Sequence, residues 1–329
     1  MREFLNISKF APLLLLSCAT TQVDDWGTSS QTVPKPPEAA ALRNEPNQHG
    51  PAKQGIFLWE ASKGDAVVYF FGSVHIGDLG MRIPDVVLRA LRRSRTVAFE
   101  IDPRDESQGE RLLEKGTSQD ESLEDVISPS DYAKVSKVAA QMGMPMTIVD
   151  RLKPWMAGLL FQSVAMMKLG YTPENGIENQ ILQYAEGRPI VALESIDLQV
   201  GVFSSMPLEL QREMLAEALL DLGEVEKKTD ELMSRWKSGD EAGMEKLVFK
   251  DLEDHPELTA PYYESMIFNR NVGMANKVES MMRSGGRHLV VVGTAHLIGS
   301  KGVPALLAKS GATVKRLHKG SLLEPELAH

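Results

Sequence analysis

From Gly55 onward the chain alternates short, uninterrupted apolar runs with stretches of helical period. Val67-Val68-Tyr69-Phe70-Phe71 is stopped by Gly72, and Thr96-Val97-Ala98-Phe99 runs into Glu100. The same form recurs at Met146-Thr147-Ile148-Val149 before Asp150, at Ile190-Val191-Ala192-Leu193 before Glu194, at Leu289-Val290-Val291-Val292 before Gly293, and from Ala312 to Leu317. Apolar runs without polar alternation read as strands buried on both faces, as in a parallel sheet covered by helices. Pro84 opens a helix through Val86, Val87, Ala90 and Leu91 that ends on Arg92-Arg93, where cations suit the helix dipole. Further helices are predicted at Pro154–Leu169, Ile177–Ala185, Pro207–Leu222 and Val225–Trp236, with a long one from about Leu258 to Arg283. The alternation predicts an α/β layer fold with a mostly parallel central sheet flanked by helices. Residues 207–285 carry no strand pattern and read as a helical insertion before the last strands, either a lid over the sheet or a layer of the main core.

The first 53 residues depart from this pattern. Arg2 and Lys9 precede the apolar stretch Ala11 to Leu16, which is too short to span a bilayer and reads as a secretory signal. Leu15-Leu16-Ser17-Cys18 looks like a bacterial lipobox, which makes residues 1–17 a signal peptide and Cys18 the lipidated first residue. The competing reading is the uncleaved start of a cytosolic protein with a buried cysteine. Residues 18–53 are rich in Pro, Ser, Thr, Gln and Asn and form a flexible stalk, leaving 54–329 as a single domain. The expected location is the bacterial cell envelope, on a membrane anchor facing the periplasm or the exterior.

Composition narrows the chemistry. With 36 Lys and Arg against 45 Asp and Glu, the net charge of -9 excludes a broad electrostatic grip on nucleic acid. An acidic surface gains nothing from anionic lipid, so the acyl chains on Cys18 carry the membrane contact. A single cysteine excludes an internal disulfide framework and every all-thiolate zinc site, so any metal must be held by imidazole and carboxylate.

One motif occurs twice directly after an apolar run: Gly72-Ser73-Val74-His75 and Gly293-Thr294-Ala295-His296. Both histidines therefore sit on loops just past strand ends, where ligands bind in open parallel sheets. Glu100 and Glu194 are each the first charged residue after a strand, and a carboxylate there needs a metal, a cation or several donors. Two imidazoles and one carboxylate form an open-coordination set for a divalent ion, with a second carboxylate as general base. Other readings stand beside this one. Strand-end histidines can be satisfied by the backbone, and Glu100 can pair with Arg92, Arg93 or Arg95. Glu178, in Gly176-Ile177-Glu178 at a helix start, can simply favour the dipole, and Arg270 and Asn271 can be surface residues of the long helix. In the functional reading Arg270 reaches the crevice to hold a substrate carboxylate or steady Glu194, and Asn271 donates to a developing oxyanion. His288, His49, His255, His318 and His329 lack the motif and read as non-functional.

Taken in order, the doubled motif, Glu100, Lys153-Pro154-Trp155, Gly176-Ile177-Glu178, Leu193-Glu194, Trp236 with Gly239-Asp240, Arg270-Asn271 and Val292-Gly293-Thr294-Ala295-His296-Leu297 resemble the TraB/GumN family over about residues 55 to 318. That family includes bacterial pheromone-shutdown proteins and is similar to the animal TIKI proteins, which are metal-dependent peptidases. The resemblance implies a modest central sheet and a metal site built from His75, His296 and Glu100, with Mn, Co or Zn as candidate ions and Glu194, Glu178, Arg270 and Asn271 around it. The activity it implies is a metal-dependent, peptidase-like hydrolase of peptide or other acyl bonds. The alternative is a non-catalytic protein that sequesters a peptide or assists envelope polysaccharide export.

Overall fold

In the computed structural model, which describes residues 55–321 and 323 apart from 186, 220, 221 and 255, the apolar runs become strands of one six-stranded sheet. The signal segment, Cys18 and the stalk lie outside the described residues. The strands are β1 (Leu58–Lys63), β2 (Ala66–Ser73), β3 (Thr96–Phe99), β4 (Ile190–Ala192), β5 (Arg287–Gly293) and β6 (Thr313–Arg316), in the spatial order β4-β3-β5-β2-β1-β6. β4, β3, β5 and β2 pair in parallel, while β1 is antiparallel to both β2 and β6. The uninterrupted runs lie where that pattern demands: Val68 to Phe71, Val97 to Phe99 and Leu289 to Val292 are all buried. The edge strands β4 and β6 are only partly covered.

One expected strand is a helix. Met146–Val149 forms a four-residue helical turn after Pro145, and only Val149 in it is buried. A strand buried on both faces needs all four side chains covered. This run instead packs against the helix Pro129–Met142, and the proline ahead of it pre-sets the helical entry.

The described part of residues 207 to 285 holds helices and no strand, and two kinds of packing divide it. The helix Leu208–Ala218 lies along Pro154–Lys168, with the missing side chain of Gly158 letting the Met214–Leu215 backbone approach. The helix Asn269–Arg283 lies on β2 and on the helix Val303–Lys309, so it belongs to the layer covering the sheet. The expected unbroken helix from about Leu258 is three pieces: Pro256–Tyr263, a π-helical segment Glu264–Phe268, and Asn269–Arg283. No helix among the described residues is long and apolar enough to cross a membrane.

Candidate functional site

The register of the parallel strands puts their carboxyl ends side by side. Ser73 of β2 pairs with Gly293 of β5, and Phe99 of β3 pairs with Val291 of β5 and Ala192 of β4. The chain leaves these ends into Glu194, Glu100, His296 and His75, in that order across the sheet. All four are buried. Helices supply the rest: Gln199 from Ile196–Ser204, Arg270 and Asn271 from Asn269–Arg283, and Glu178 from Ile177–Tyr184.

On the β3–β4 side a single guanidinium joins two carboxylates. Arg270 Nε donates to Glu194 Oε2 at 2.9 Å, and Arg270 Nη2 lies 2.8 Å from both Glu100 Oε2 and Glu194 Oε2. Its Nη1 donates to the Met266 carbonyl at 3.0 Å. The Gln199 amide bridges the same pair, at 3.1 Å from Glu100 Oε2 and 3.3 Å from Glu194 Oε2. Glu100 Oε1 turns the other way and accepts the Gly293 N–H at 2.6 Å. Burial alone would raise the Glu100 pKa, but His296, Arg270, His75 and the Gly293 N–H bring it down to about 2. Arg270 thus takes the place of Arg92, Arg93 and Arg95 as the ion-pair partner of Glu100, and it steadies Glu194 with the nitrogens expected for a substrate carboxylate.

On the β5–β2 side the two imidazoles are fixed by different partners. Asn271 donates its amide to the Lys301 carbonyl at 2.8 Å, so its Oδ1, 2.6 Å from His296 Nδ1, must accept. The proton of His296 is therefore on Nδ1, and the lone pair is on Nε2. Asn271, expected as an oxyanion donor, is used at both ends in orienting this ring. Burial and the neighbouring Arg270 outweigh Glu100 and push His296 down to about 3, which keeps the imidazole neutral. His75 Nδ1 lies 2.6 Å from Glu178 Oε1, which also accepts the Ser73 hydroxyl. Burial works against a charged Glu178, but His75 and Ser73 hold its pKa below the ordinary carboxylate value. Because the Ser73 hydroxyl donates to Glu178 and not to His75, these residues do not form a serine nucleophile with its base.

Two glycines make this packing possible. A Cβ on Gly176 would stand 2.6 Å from the His75 carbonyl oxygen, and one on Gly72 would stand 2.9 Å from Thr294 Oγ1. The Thr294 hydroxyl in turn donates to the Ser73 carbonyl at 2.9 Å, so the second motif braces the first. The Trp236 indole N–H caps the Gly72 carbonyl at 2.9 Å.

Two of the expected metal ligands, His296 and Glu100, face one another. His296 Nε2 is buried with no hydrogen-bond partner among the described residues, and it faces Glu100 Oε1 at 3.7 Å. That is too long for a hydrogen bond and close to the roughly 3.4–3.6 Å that separates two ligands of one ion. Glu100 and Glu194 share the one Arg270 guanidinium, while the third buried carboxylate, Glu178, pairs with His75. Among the described residues no three His, Cys, Asp or Glu side chains already converge as a cage. His75 is near enough to influence the titration of both Glu100 and His296.

The sequence reading missed Gln199. Its signal was a lone amide on the otherwise apolar buried face of a helix, beside Ile196, Val200 and Phe203. His288, read as non-functional, is buried at the start of β5 with Nε2 3.1 Å from the Gly285 carbonyl.

A family model described as the TraB/PrgY/gumN family matches residues 57–316. The chain is 23% identical over 247 residues to the uncharacterized protein YbaP of Escherichia coli (strain K12), a match that covers 74% of this chain and 89% of that protein. YbaP of Shigella flexneri is similar to the same extent, at 23% over 247 residues. No solved structure matches.

Proposed function

The chain belongs to the TraB/PrgY/gumN family, and on that premise we propose that it is a metal-dependent hydrolase of peptide or other acyl bonds. One observation carries the reading: the buried Nε2 of His296, without a hydrogen-bond partner among the described residues, faces Glu100 Oε1 at 3.7 Å. His75, His296 and Glu100 would hold the ion. When bound, a divalent ion supplies a water of lowered pKa and polarises a carbonyl.

The remaining residues prepare that chemistry. Asn271 accepts the Nδ1–H of His296, so that ring offers Nε2, and Glu178 sits against Nδ1 of His75. Arg270 and Gln199 hold Glu100 by Oε2, which leaves Oε1 turned toward His296. Of the two carboxylates outside the ligand set, Glu194 is engaged with Arg270, whereas Glu178 Oε2 has no hydrogen-bond partner among the described residues. Glu178 is therefore the better general base, with Oε2 as the atom that takes a proton.

The test is turnover. The full chain is supplied in turn with Mn, Co and Zn and offered a mixed peptide library and a panel of acyl esters. Glu178→Gln should lower turnover by roughly 100-fold or more while the metal is retained. Retained metal with no turnover of any peptide or ester would favour a sequestering or export-accessory role instead.

For location the support is the sequence alone. Leu15-Leu16-Ser17-Cys18 leads us to propose a lipid anchor on Cys18 in the bacterial envelope. Cys18→Ser should move the protein out of the membrane fraction and abolish labelling by a fatty-acid analogue. A wild type that takes up no label would end this part of the proposal.

A further inference from the structure

Arg270 and Asn271 are neighbours in sequence, yet both are buried. They belong to a stripe in which Met266, Arg270, Met274, Val278 and Met282 are buried at steps of four. A regular α-helix turns about 100° per residue, so a stripe with that spacing overshoots a full turn by about 40° at each step. The π segment Glu264–Phe268, with i→i+5 bonding, turns less per residue and takes back part of the drift just before Arg270. Its Met266 carbonyl receives Arg270 Nη1.

The outside of the same segment is clamped. Lys301 pairs with Glu264, the first residue of the π segment, and its Nζ lies 4.2 Å above the ring of Phe268, the last. The main-chain carbonyl of Lys301 accepts the Asn271 amide at 2.8 Å, and Asn271 in turn accepts from His296. The contacts thus run without a gap from a half-exposed surface lysine to a fully buried imidazole.

We infer that the π segment and its Lys301 clamp set the orientation of His296 through Asn271, which makes Lys301 a positioning residue more than one contact away from the ring. This rests on the hydrogen-bond geometry and not on the hydrolase reading, so either can fail alone. Exposed ion pairs and cation–π contacts are individually modest, so the effect expected is on the lifetime of the His296 contact and not on the fold.

The experiment uses the full chain with 15N-labelled histidine. The Nδ1–H resonance of His296 is identified by its loss in His296→Gln, and its exchange with solvent is measured. Lys301→Met, which keeps the stem and loses the charge, should speed exchange by roughly tenfold. Lys301→Arg keeps a cation against Glu264 and Phe268 and should retain the wild-type rate. Deletion of Ser265, which closes the π segment to an α turn, should abolish the resonance. Unchanged exchange in Lys301→Met, equal acceleration in Lys301→Met and Lys301→Arg, or a folded deletion variant that keeps the resonance would each overturn the inference. If the deletion variant does not fold, the Lys301 pair decides alone.

Discussion

His296 Nδ1 donates to Asn271 Oδ1 at 2.6 Å, and because the other end of that amide is spent on the Lys301 carbonyl, the direction of the bond is fixed. The ring presents Nε2 to Glu100, and neither residue has water to fall back on, since both Asn271 and His296 are 0% exposed. Asn271→Ala should therefore strand a buried N–H and lower stability by about 1–3 kcal/mol, read as a shift in the urea midpoint at unchanged slope. A midpoint equal to that of the wild type would mean that the ring finds another acceptor.

Arg270 and its two carboxylates make a second prediction. Removing one member of a buried ion pair leaves its partner charged and unpaired, typically at about 3–5 kcal/mol. Arg270→Met should cost about that much. Adding Glu194→Gln, which removes one stranded charge, should recover part of the loss. The double-mutant cycle checks this: additive losses would show that Arg270 and Glu194 do not depend on one another. Arg270→Lys should fall between, because lysine keeps the charge and loses the fork that reaches both Glu100 and Glu194.

Stability should also fall with acid in a window set by histidine. The folded-state pKa of His296 is about 3, well below its ordinary value of 6.5, so between those values the unfolded chain binds a proton that the folded chain refuses. The stabilisation is complete above pH 6.5 and is lost as pH falls, by about 1.4 kcal/mol per pH unit for one proton. His288, depressed by burial, adds to the loss with the same sign. Glu100, lowered to about 2, contributes only below its ordinary 4.5. Urea titrations between pH 6.5 and 4.5 measure the slope, and His296→Gln should flatten it by about one proton. A variant with the wild-type slope would show that His296 titrates normally.

How much of this was legible in the sequence depends on whether the signal was local. The runs before Glu100, Glu194 and the two Gly-x-x-His motifs marked the strand ends, because a strand buried on both faces has a plain apolar signature. The side-by-side placement of those ends depends on strand order, which no local pattern encodes. Met146–Val149 has the composition of a strand and the setting of a helical turn, and burial decided it. Arg270 and Asn271 were ambiguous because a polar pair within an amphipathic helix reads equally well as surface, and the π segment that precedes them has no composition of its own. Gln199 was invisible as chemistry: its role exists only once Glu100 and Glu194 are adjacent.

The central claim is that His75, Glu100 and His296 share one divalent ion, and elemental analysis of the purified full chain tests it most directly. The wild type, after exposure to Mn, Co or Zn and exhaustive removal of free ion, should retain close to one equivalent. His75→Ala, Glu100→Gln and His296→Ala, each confirmed folded by circular dichroism, should each lose nearly as much as the triple variant, because ligands of one ion are not additive. A wild type that retains no ion, or single variants whose losses simply add up to that of the triple, would contradict the shared site.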